Sequence, residues 1–435
     1  MRRLISIVLP ALCAAPLCAQ RARPDALSAE VDRRAAAVDS LVVGWRRDIH
    51  QHPELGNRET RTSQLVADHL KRLGIEVRTG VAHTGVIGVL RGGKPGPVVA
   101  LRADMDALPV TEQVDLPFRS AVRTVYNGQD VGVMHACGHD NHVAILMGVA
   151  QVLAGMKAEL PGTVVFVFQP AEEGVPTGED GGAKMMLAEG AFDNPKPNAV
   201  FALHVFPDTV GYLKYRSGPA LAASDPLRIV IRGKQTHAAQ PWKGVDPVTV
   251  AAQIVLGLQT ITSRQTDVTL APAVVSIGSI QGGVRNNIIP DSVVLLGTIR
   301  TFDPAMQDDI HARVRRTAEL IAQSAGATAL VSIEKSYPVT VNDPALTNRM
   351  IATLRRVVGD SAVGTASLKT GAEDFSFFAQ RVPGFYFYLG VTPRGQDLDT
   401  VPVNHSPRFF ADEHALPVGV RAMAHLAVDY LRGGQ

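Results

Sequence analysis

The sequence has little cysteine, with only three such residues in 435. Cys13 and Cys18 lie in an N-terminal stretch that we expect to be removed, which leaves Cys137 as the one thiol of the mature chain. A single cysteine cannot form a disulfide within the chain, and a free, exposed thiol would be a liability in an oxidising compartment. The sequence therefore predicts that Cys137 is buried or bound to something.

The chain also lacks an excess of charge of either sign. Lys and Arg total 43 and Asp and Glu total 41, which gives a formal net charge of +2, and no long run of like charge occurs. This pattern excludes the usual surfaces for nucleic acid and for acidic membranes, so we expect neither partner. A length of 435 residues with 46% apolar residues is too great for one ordinary core and fits two domains.

The N-terminus has the pattern of a secretory signal peptide. Two arginines precede an apolar stretch over residues 4–17, and small residues follow. The stretch is too short for a transmembrane helix. We therefore predict a signal peptide over residues 1–19, cleavage near Ala19 and an exported protein, periplasmic or secreted, without stable membrane insertion. Cys18 leaves a lipoprotein open as the alternative, although the residues before it form a poor lipidation motif.

Beyond this segment, short apolar runs alternate with amphipathic segments. The runs that predict strands are residues 85–90, 98–101, 163–168, 199–203 and 385–389. The segments with helical periodicity are residues 31–49, 62–73, 143–153, 183–188 and 345–357. Continuous β-branched runs that alternate with helices are typical of a mostly parallel sheet covered on both faces. We predict an α/β domain formed by residues 30–222 and 337–435.

Residues 223–336 have a different order of predicted strands and helices. The pattern predicts a strand, a helix, two strands, a helix and a strand at residues 227–231, 247–263, 268–280, 292–301, 304–324 and 329–333. This βαββαβ order is the ferredoxin-like motif, which makes a compact unit by itself. The sequence therefore predicts a smaller ferredoxin-like domain inserted into the α/β domain.

The segment His135-Ala-Cys137-Gly-His139 brings a thiol and imidazoles close together in sequence. Cys137 and His139 are two residues apart, and His139 stands where a helix is predicted to begin. Thiolate and imidazole are the donors that zinc and its neighbours prefer. The spacing by itself fits equally well a buried cysteine beside a surface histidine.

Adjacent carboxylates follow the predicted strand at residues 163–168. Glu172 and Glu173 come four and five residues after its end. Two neighbouring carboxylates near a buried strand are costly unless a cation holds them. One of them could bind a metal while the other accepts a proton, and the alternative is a solvated acidic loop.

Further polar residues follow other predicted strands. They are Asp104 and Asp106, His204 and, after the last predicted strand, His405. Each histidine taken singly is more often structural than a ligand. The carboxyl ends of strands meet at one edge of an open α/β sheet, and ligands bind at that edge. With Cys137, His139 and Glu173, the histidines supply enough donors for two metals, which favours a co-catalytic pair over a structural zinc.

Motifs spread over nearly the whole mature chain resemble one known family. They are RRDIHQHPELG (46–56), LRADMDALP (101–109), MHACGHD (134–140), PAEEG (170–174), LHVFP (203–207), GKQTHAAQP (233–241), GGVRNNIIPD (282–291), GAEDFS (371–376) and NHSP (404–407). Together they resemble the amidohydrolase branch of the aminoacylase and carboxypeptidase superfamily, which includes hippurate hydrolases and plant indole-acetyl-amino-acid hydrolases.

The resemblance implies a role for each matching residue. The ligands of two divalent ions, Zn²⁺ by preference with Mn²⁺, Co²⁺ or Ni²⁺ as alternatives, would be Cys137, His139, Glu173, His204 and His405. Cys137 stands where relatives outside this branch carry a bridging aspartate. Asp106 would orient the metal site, with Asp104 as a further supporting residue. The α/β domain would be catalytic, and the inserted domain would act as a lid and dimerisation module, which predicts a homodimer.

The resemblance also implies a reaction, the hydrolysis of the amide bond of N-acyl amino acids. Glu172 would accept the proton of a metal-activated water and return it to the leaving amine. His237, often from the partner subunit, would stabilise the oxyanion, and Asn287 and Arg300 would hold the substrate carboxylate. The alternatives are a carboxypeptidase or dipeptidase that acts on short peptides, and a non-catalytic binding protein.

Overall fold

A computed structural model of the protein describes residues 26–433. The predicted signal peptide, residues 1–19, lies outside the described residues and stays a prediction, which N-terminal sequencing of the protein purified from its native cells can check. The helices are α1 (Ala26–Gln51), α2 (Thr60–Arg72), α3 (His139–Ala154), α4 (Gly182–Ala188), α5 (Pro247–Thr260), α6 (Pro304–Ser324), α7 (Pro344–Val358), α8 (Phe375–Ala379) and α9 (Leu416–Leu431). The strands are β1 (Glu76–Val81), β2 (Gly85–Arg91), β3 (Lys94–Asp104), β4 (Arg123–Tyr126), β5 (Gln129–Gly132), β6 (Pro161–Gln169), β7 (Ala199–Thr209), β8 (Leu213–Tyr215), β9 (Gly218–Leu221), β10 (Ala223–Arg232), β11 (Thr236–His237), β12 (Ala273–Gln281), β13 (Ile288–Ile289), β14 (Ser292–Thr301), β15 (Thr328–Ile333), β16 (Thr340–Asn342), β17 (Val363–Thr365) and β18 (Gly384–Thr392).

Eight strands form the central sheet, in the order β1-β2-β6-β3-β7-β18-β8-β17. The four strands β6, β3, β7 and β18 run parallel to one another in its middle. β1 and β2 are antiparallel at one edge, and β8 is antiparallel to β18 near the other. All nine residues of β18 are buried, as expected of a strand covered on both faces. The predicted mostly parallel sheet is thus confirmed.

Helices pack on both faces of this sheet. Neighbouring residues of β3 point to opposite faces, because side chains alternate along a strand. Leu101 lies in a core that includes residues of α1, α3 and α9, and Ala100 lies in a second core with residues of α4 and α8. None of the helices between residues 26 and 433 has the length and apolar character that crossing a lipid bilayer demands.

A second sheet, in the order β12-β14-β10-β15, is antiparallel throughout. α5 and α6 pack together on it, so the order βαββαβ is the predicted ferredoxin-like domain. The strand predicted at residues 268–280 is wrong at its start, because the observed strand β12 begins at Ala273. Asp267 accepts a hydrogen bond from the Thr269 amide in a turn, and Pro272 has no amide hydrogen, so β12 begins at Ala273.

The chain passes between the two domains through one pair of strands. β9 precedes the inserted domain and β16 follows it, and the two are antiparallel, with Thr340 opposite Leu221. The two segments that connect the inserted domain to the main domain therefore lie side by side. Arg300 of β14 lines one cleft together with Glu172, which follows β6, and His204 of β7, so the insertion lies beside this edge of the central sheet.

Candidate metal centre

The five candidate metal ligands lie at one edge of the central sheet, in two groups that share Cys137. Donor atoms of Cys137, His139 and His204 lie within 4.8 Å of one another, and so do those of Cys137, Glu173 and His405. Cys137 Sγ is 3.4 Å from His204 Nε2, and His405 Nε2 is 3.0 Å from Glu173 Oε1. Two groups with one common thiol have the composition of a pair of metal sites bridged by that thiol.

A glycine between Cys137 and His139 allows the backbone to present both side chains. Gly138 has φ +92°, a left-handed conformation that favours glycine. A Cβ atom there would lie 2.4 Å from a methyl carbon of Val205. His139 then begins α3. Asn404 donates to the Cys137 carbonyl oxygen at 2.9 Å, which joins the last ligand loop to the first.

His204 lies within β7 rather than just beyond it, because the apolar run continues through Val205 and Phe206 and pairs with β18. Its Nδ1 donates to the Val205 carbonyl oxygen at 2.7 Å. This hydrogen bond fixes the tautomer and leaves Nε2, the atom nearest to Cys137, as a lone-pair donor.

A tight turn after β6 presents Glu172 and Glu173. Ala171 has φ +52°, and its amide donates to the buried carboxyl of Glu59 at 2.8 Å. Burial, followed by the charge of Asp106, raises the pKa of Glu59 to about 8. The Glu173 amide donates to Asp106 Oδ2 at 2.9 Å. The turn is thus held by two carboxyl groups, of which sequence reasoning identified only Asp106.

His405 has a strained backbone. Its φ is +70°, which is uncommon for a residue with a side chain, and its amide donates to the Ala136 carbonyl oxygen at 2.8 Å. Such outliers are concentrated at functional sites, where the surroundings enforce them. Its side chain is 56% exposed, so this donor lies at the solvent-facing side of the group.

Buried donor atoms at the centre fit metal ions. His139 Nε2 is buried and has no hydrogen-bond partner among the described residues, while Nδ1 is 3.2 Å from Asp106 Oδ1. Burial lowers the pKa of His139, but the negative charges of Asp104 and Asp106 outweigh it and raise the pKa to about 10. Burial, followed by the charge of Glu173, raises the pKa of the Cys137 thiol well above its usual value. Excess negative charge around soft and borderline donors suits divalent cations, which would displace these protons.

Glu172 lies beside these groups with its carboxyl buried. Its Oε2 is 3.9 Å from His139 Nε2. Burial is the largest cause of a pKa raised well above the usual range, followed by the negative charges of Glu373 and Glu173. A carboxyl group in such surroundings holds a proton more readily than an exposed one, which is a property of general acids and bases.

A buried arginine without a predicted role supports the site. Arg102 is 1% exposed and donates to Asp104 at 2.6 Å and to Glu373 at 2.8 Å. It also contacts Gln169 and Asp374, so it joins the ends of β3 and β6 to the start of α8. Asp104 in turn accepts a hydrogen bond from the buried His142. The pair Glu373 and Asp374, to which sequence reasoning gave no role, thus neutralises Arg102.

The centre opens into a cleft of about 570 Å³ between the two domains. Main-domain residues such as Cys137 and Glu172 line it together with Arg300 from β14. The remaining predicted residues lie elsewhere. His237 ends β11 and Asn287 directly precedes β13, its partner strand; both are exposed, and the Ala238 amide donates to the Asn287 carbonyl oxygen at 3.0 Å. Neither is among the described residues that line the cleft.

Known proteins resemble this chain over most of its length. A thermostable carboxypeptidase from Saccharolobus solfataricus is 41% identical over 398 residues, covering 90% of this chain and 96% of the relative. IAA-amino acid hydrolase ILR1-like 2 from Arabidopsis thaliana is 39% identical over 402 residues, covering 92% and 87%. A solved structure from Bacillus subtilis, described as a dinuclear metal-binding peptidase of the M20 family, has a TM-score of 0.75 at 35% identity, covering 91% and 99%.

The family model described as peptidase family M20/M25/M40 matches residues 100–429. That span contains all five candidate ligands, Glu172 and the inserted domain. The predicted resemblance is confirmed, and so is the prediction of a metal-dependent hydrolase that acts on linear amides. The chain belongs to the peptidase family M20/M25/M40.

Proposed function

We propose that this protein hydrolyses the amide bond of N-acyl amino acids and that the leaving amino acid carries a free α-carboxylate. The observation that carries the proposal is the position of Arg300 in the same cleft as Cys137 and Glu172. Its guanidinium forms no salt bridge with a described residue, and the nearby Asp225 is occupied by Gln307 and His311. A half-buried guanidinium without a carboxylate partner is suited to bind one from the substrate.

Two divalent cations would be held by Cys137, His139, Glu173, His204 and His405, and when bound they acidify water and polarise the amide carbonyl. We assign the proton transfers to Glu172, whose buried carboxyl lies 3.9 Å from a candidate ligand atom. It accepts a proton from the attacking water and returns it to the leaving nitrogen. Zn²⁺ is our first choice because the donor set contains a thiol and three imidazoles, with Mn²⁺, Co²⁺ and Ni²⁺ as alternatives.

The second candidate is a carboxypeptidase or dipeptidase that acts on short peptides. The observation that favours it is the similarity to the Saccharolobus carboxypeptidase. A peptide and an N-acyl amino acid contain the same amide bond. The two kinds of substrate differ in the free α-amine of the peptide, which the cleft would have to distinguish from an acyl group. Comparing a dipeptide with its N-acetylated form separates the two functions, and we expect the acetylated form to be the better substrate.

Arg300 supplies the first prediction. The wild-type enzyme should prefer N-benzoyl amino acids over their α-carboxamides by about 10- to 100-fold in kcat/KM, since charge-assisted hydrogen bonds contribute about 1.5–3 kcal/mol. Arg300→Met should remove this preference mainly through a higher KM. Steady-state kinetics on the matched substrates measure both. Arg228, exposed on β10 of the same sheet, offers Arg228→Met as the control. If Arg300→Met kept the wild-type preference for the carboxylate over the carboxamide, Arg300 would not be the group that binds the α-carboxylate.

We further propose a homodimer formed through the inserted domain, in which His237 and Asn287 enter the partner's cleft. β12 is an edge strand, and apolar side chains are exposed near it, including Ile280 at 59% on β12 and Leu256 at 71% on α5. Unpaired strand edges and exposed apolar patches favour association with another copy. His237 would then stabilise the oxyanion of the partner's site.

Subunit mixing tests this arrangement. Glu172→Gln and His237→Ala should each be nearly inactive alone, the second by about 10²-fold for loss of one oxyanion donor. Unfolding and refolding the two together should restore about a quarter of wild-type activity, because half of the dimers are mixed and each has one complete site. Light scattering checks the dimer mass. No recovery in a mixture that is dimeric would show that His237 does not act across subunits.

A further inference from the structure

A second unpaired cation lines the cleft, on the opposite domain from Arg300. Lys369 lies between β17 and α8, and it lines both the cleft and a small side cavity of about 80 Å³. Its ammonium nitrogen is 4.0 Å from the centre of the Phe206 ring. It forms no salt bridge with a described residue, since the nearby Asp208 is paired with Lys214. A cation is thus available to a ligand at this wall.

An unpartnered hydroxyl lies at the same wall. Tyr388 is 7% exposed, and its hydroxyl oxygen has no hydrogen-bond partner among the described residues. Like Lys369 and Phe206, it lines both the cleft and the side cavity. A buried hydroxyl without a partner costs free energy, and a ligand acceptor would remove that cost. The two groups together offer donors of the kind that bind a carboxylate.

The backbone fixes Lys369 in this position. Its amide donates to the Ala220 carbonyl oxygen at 3.1 Å, and its own carbonyl oxygen accepts from the Ala222 amide at 3.0 Å. These bonds anchor the segment to β9 and to the residue that follows it. The backbone bonds fix the start of the side chain, and the contact with the Phe206 ring holds the ammonium at the wall, so less conformational freedom is lost when a ligand binds.

We propose that Lys369 and Tyr388 bind a second carboxylate of the substrate, which makes N-acyl amino acids with two acidic groups the preferred class. This inference rests on the proposed function and assigns Arg300 to the α-carboxylate. The three other carboxylates that line the cleft are not paired with Lys369. Glu373 is bound by Arg102 and Tyr386, Glu173 lies against His405, and Glu172 lies 3.9 Å from His139. The second acid belongs either to the amino-acid side chain or to the acyl group.

Two substrate pairs distinguish these sources. N-acetyl-glutamate against N-acetyl-glutamine places the second acid on the amino acid, and N-succinyl-leucine against N-succinamoyl-leucine places it on the acyl group. In each pair an amide of the same size replaces the carboxylate. We expect the metal-loaded wild-type enzyme to prefer the acid about 10- to 100-fold in kcat/KM in one of the two pairs.

Variants then test the assignment. Lys369→Met should reduce the preference below about threefold and leave the neutral substrate within about threefold of wild type, while Lys369→Arg keeps part of the preference. Tyr388→Phe should weaken the preference by about 3- to 10-fold without lowering the melting temperature, because the hydroxyl has no partner to lose. Lys196→Met, at an exposed lysine just before β7 and away from its carboxyl end, is the matched control and should not change it.

Each contrary outcome has a distinct meaning. If neutral N-acyl amino acids are hydrolysed but neither acid is preferred, the second-carboxylate site is wrong and the proposed function stands. The site is also wrong if Lys369→Met keeps the preference, or if Arg300→Met rather than Lys369→Met removes it. If no N-acyl amino acid, acidic or neutral, is hydrolysed by the metal-loaded enzyme, the proposed function fails and this inference fails with it.

Discussion

Replacing Glu172 by Gln is expected to lower kcat on N-acyl amino acids by about 10²- to 10⁴-fold, the contribution of a general acid–base group. The amide has nearly the size of the carboxyl, so the turn after β6 and the ligand Glu173 should keep their positions. The variant should therefore bind as much metal as the wild type. Steady-state kinetics and elemental analysis by mass spectrometry measure the two quantities on the same sample.

The matched control for Glu172 is Glu179→Gln in the following loop. Glu179 pairs with Arg58 at the surface and lies outside the cleft lining, so we expect wild-type turnover. A Glu172→Gln enzyme that kept its metal and more than about a tenth of its turnover would contradict the assignment of the base. Loss of metal in this variant would instead make Glu172 a ligand.

Replacing Cys137 by Ala is expected to remove both activity and most of the bound metal. Cys137 is the one donor common to the two groups of candidate ligands, so its loss weakens both sites at once. The activity should fall by at least about 10²-fold, since even the loss of a residue that only orients a metal ligand lowers metal affinity or activity by about 10- to 100-fold. Metal content per chain and kcat measure the effect, and a thermal melt shows whether the variant is folded.

Cys137→Asp offers a control for this loss. The family resemblance implies an aspartate at the corresponding position in relatives outside the amidohydrolase branch, and a carboxylate can also bridge two cations. We expect the aspartate variant to recover part of the metal content that alanine loses, with a shift toward metals that prefer oxygen. Full activity and full metal content in Cys137→Ala would show that the thiol does not bridge the sites.

Strong local signals made part of the fold predictable from the sequence. α6 begins at Pro304 as predicted, because Asp303 caps the helix and proline suits its first position. β8 and β17 were not predicted, since each has only three residues. Such short strands owe their structure to their neighbours in the sheet rather than to their own sequence.

The residues of the site also divide into those with a local sequence signal and those that depend on the fold. The candidate ligands were predicted because soft donors and carboxylates next to strand ends are an unusual pattern that can be read locally. Arg102, Glu59 and Lys369 were not predicted, because their importance depends on burial and on partners far away in the sequence. Arg102, for example, pairs with Glu373, which follows it by 271 residues. For His237, the family resemblance already allowed for a role in the partner subunit, but only the fold shows that this residue lies outside the cleft of its own chain.

The strand order has a consequence for how the chain folds as it is made. β18 lies between β7 and β8 in the finished sheet, yet it is synthesised after the whole inserted domain. Until residue 392 has emerged, β7 and β8 lack their shared neighbour and expose unpaired edges that can aggregate. The inserted domain contains its own core and can fold during this interval. The last strand closes the sheet, and His405 follows it, so the ligand set is complete only near the end of synthesis.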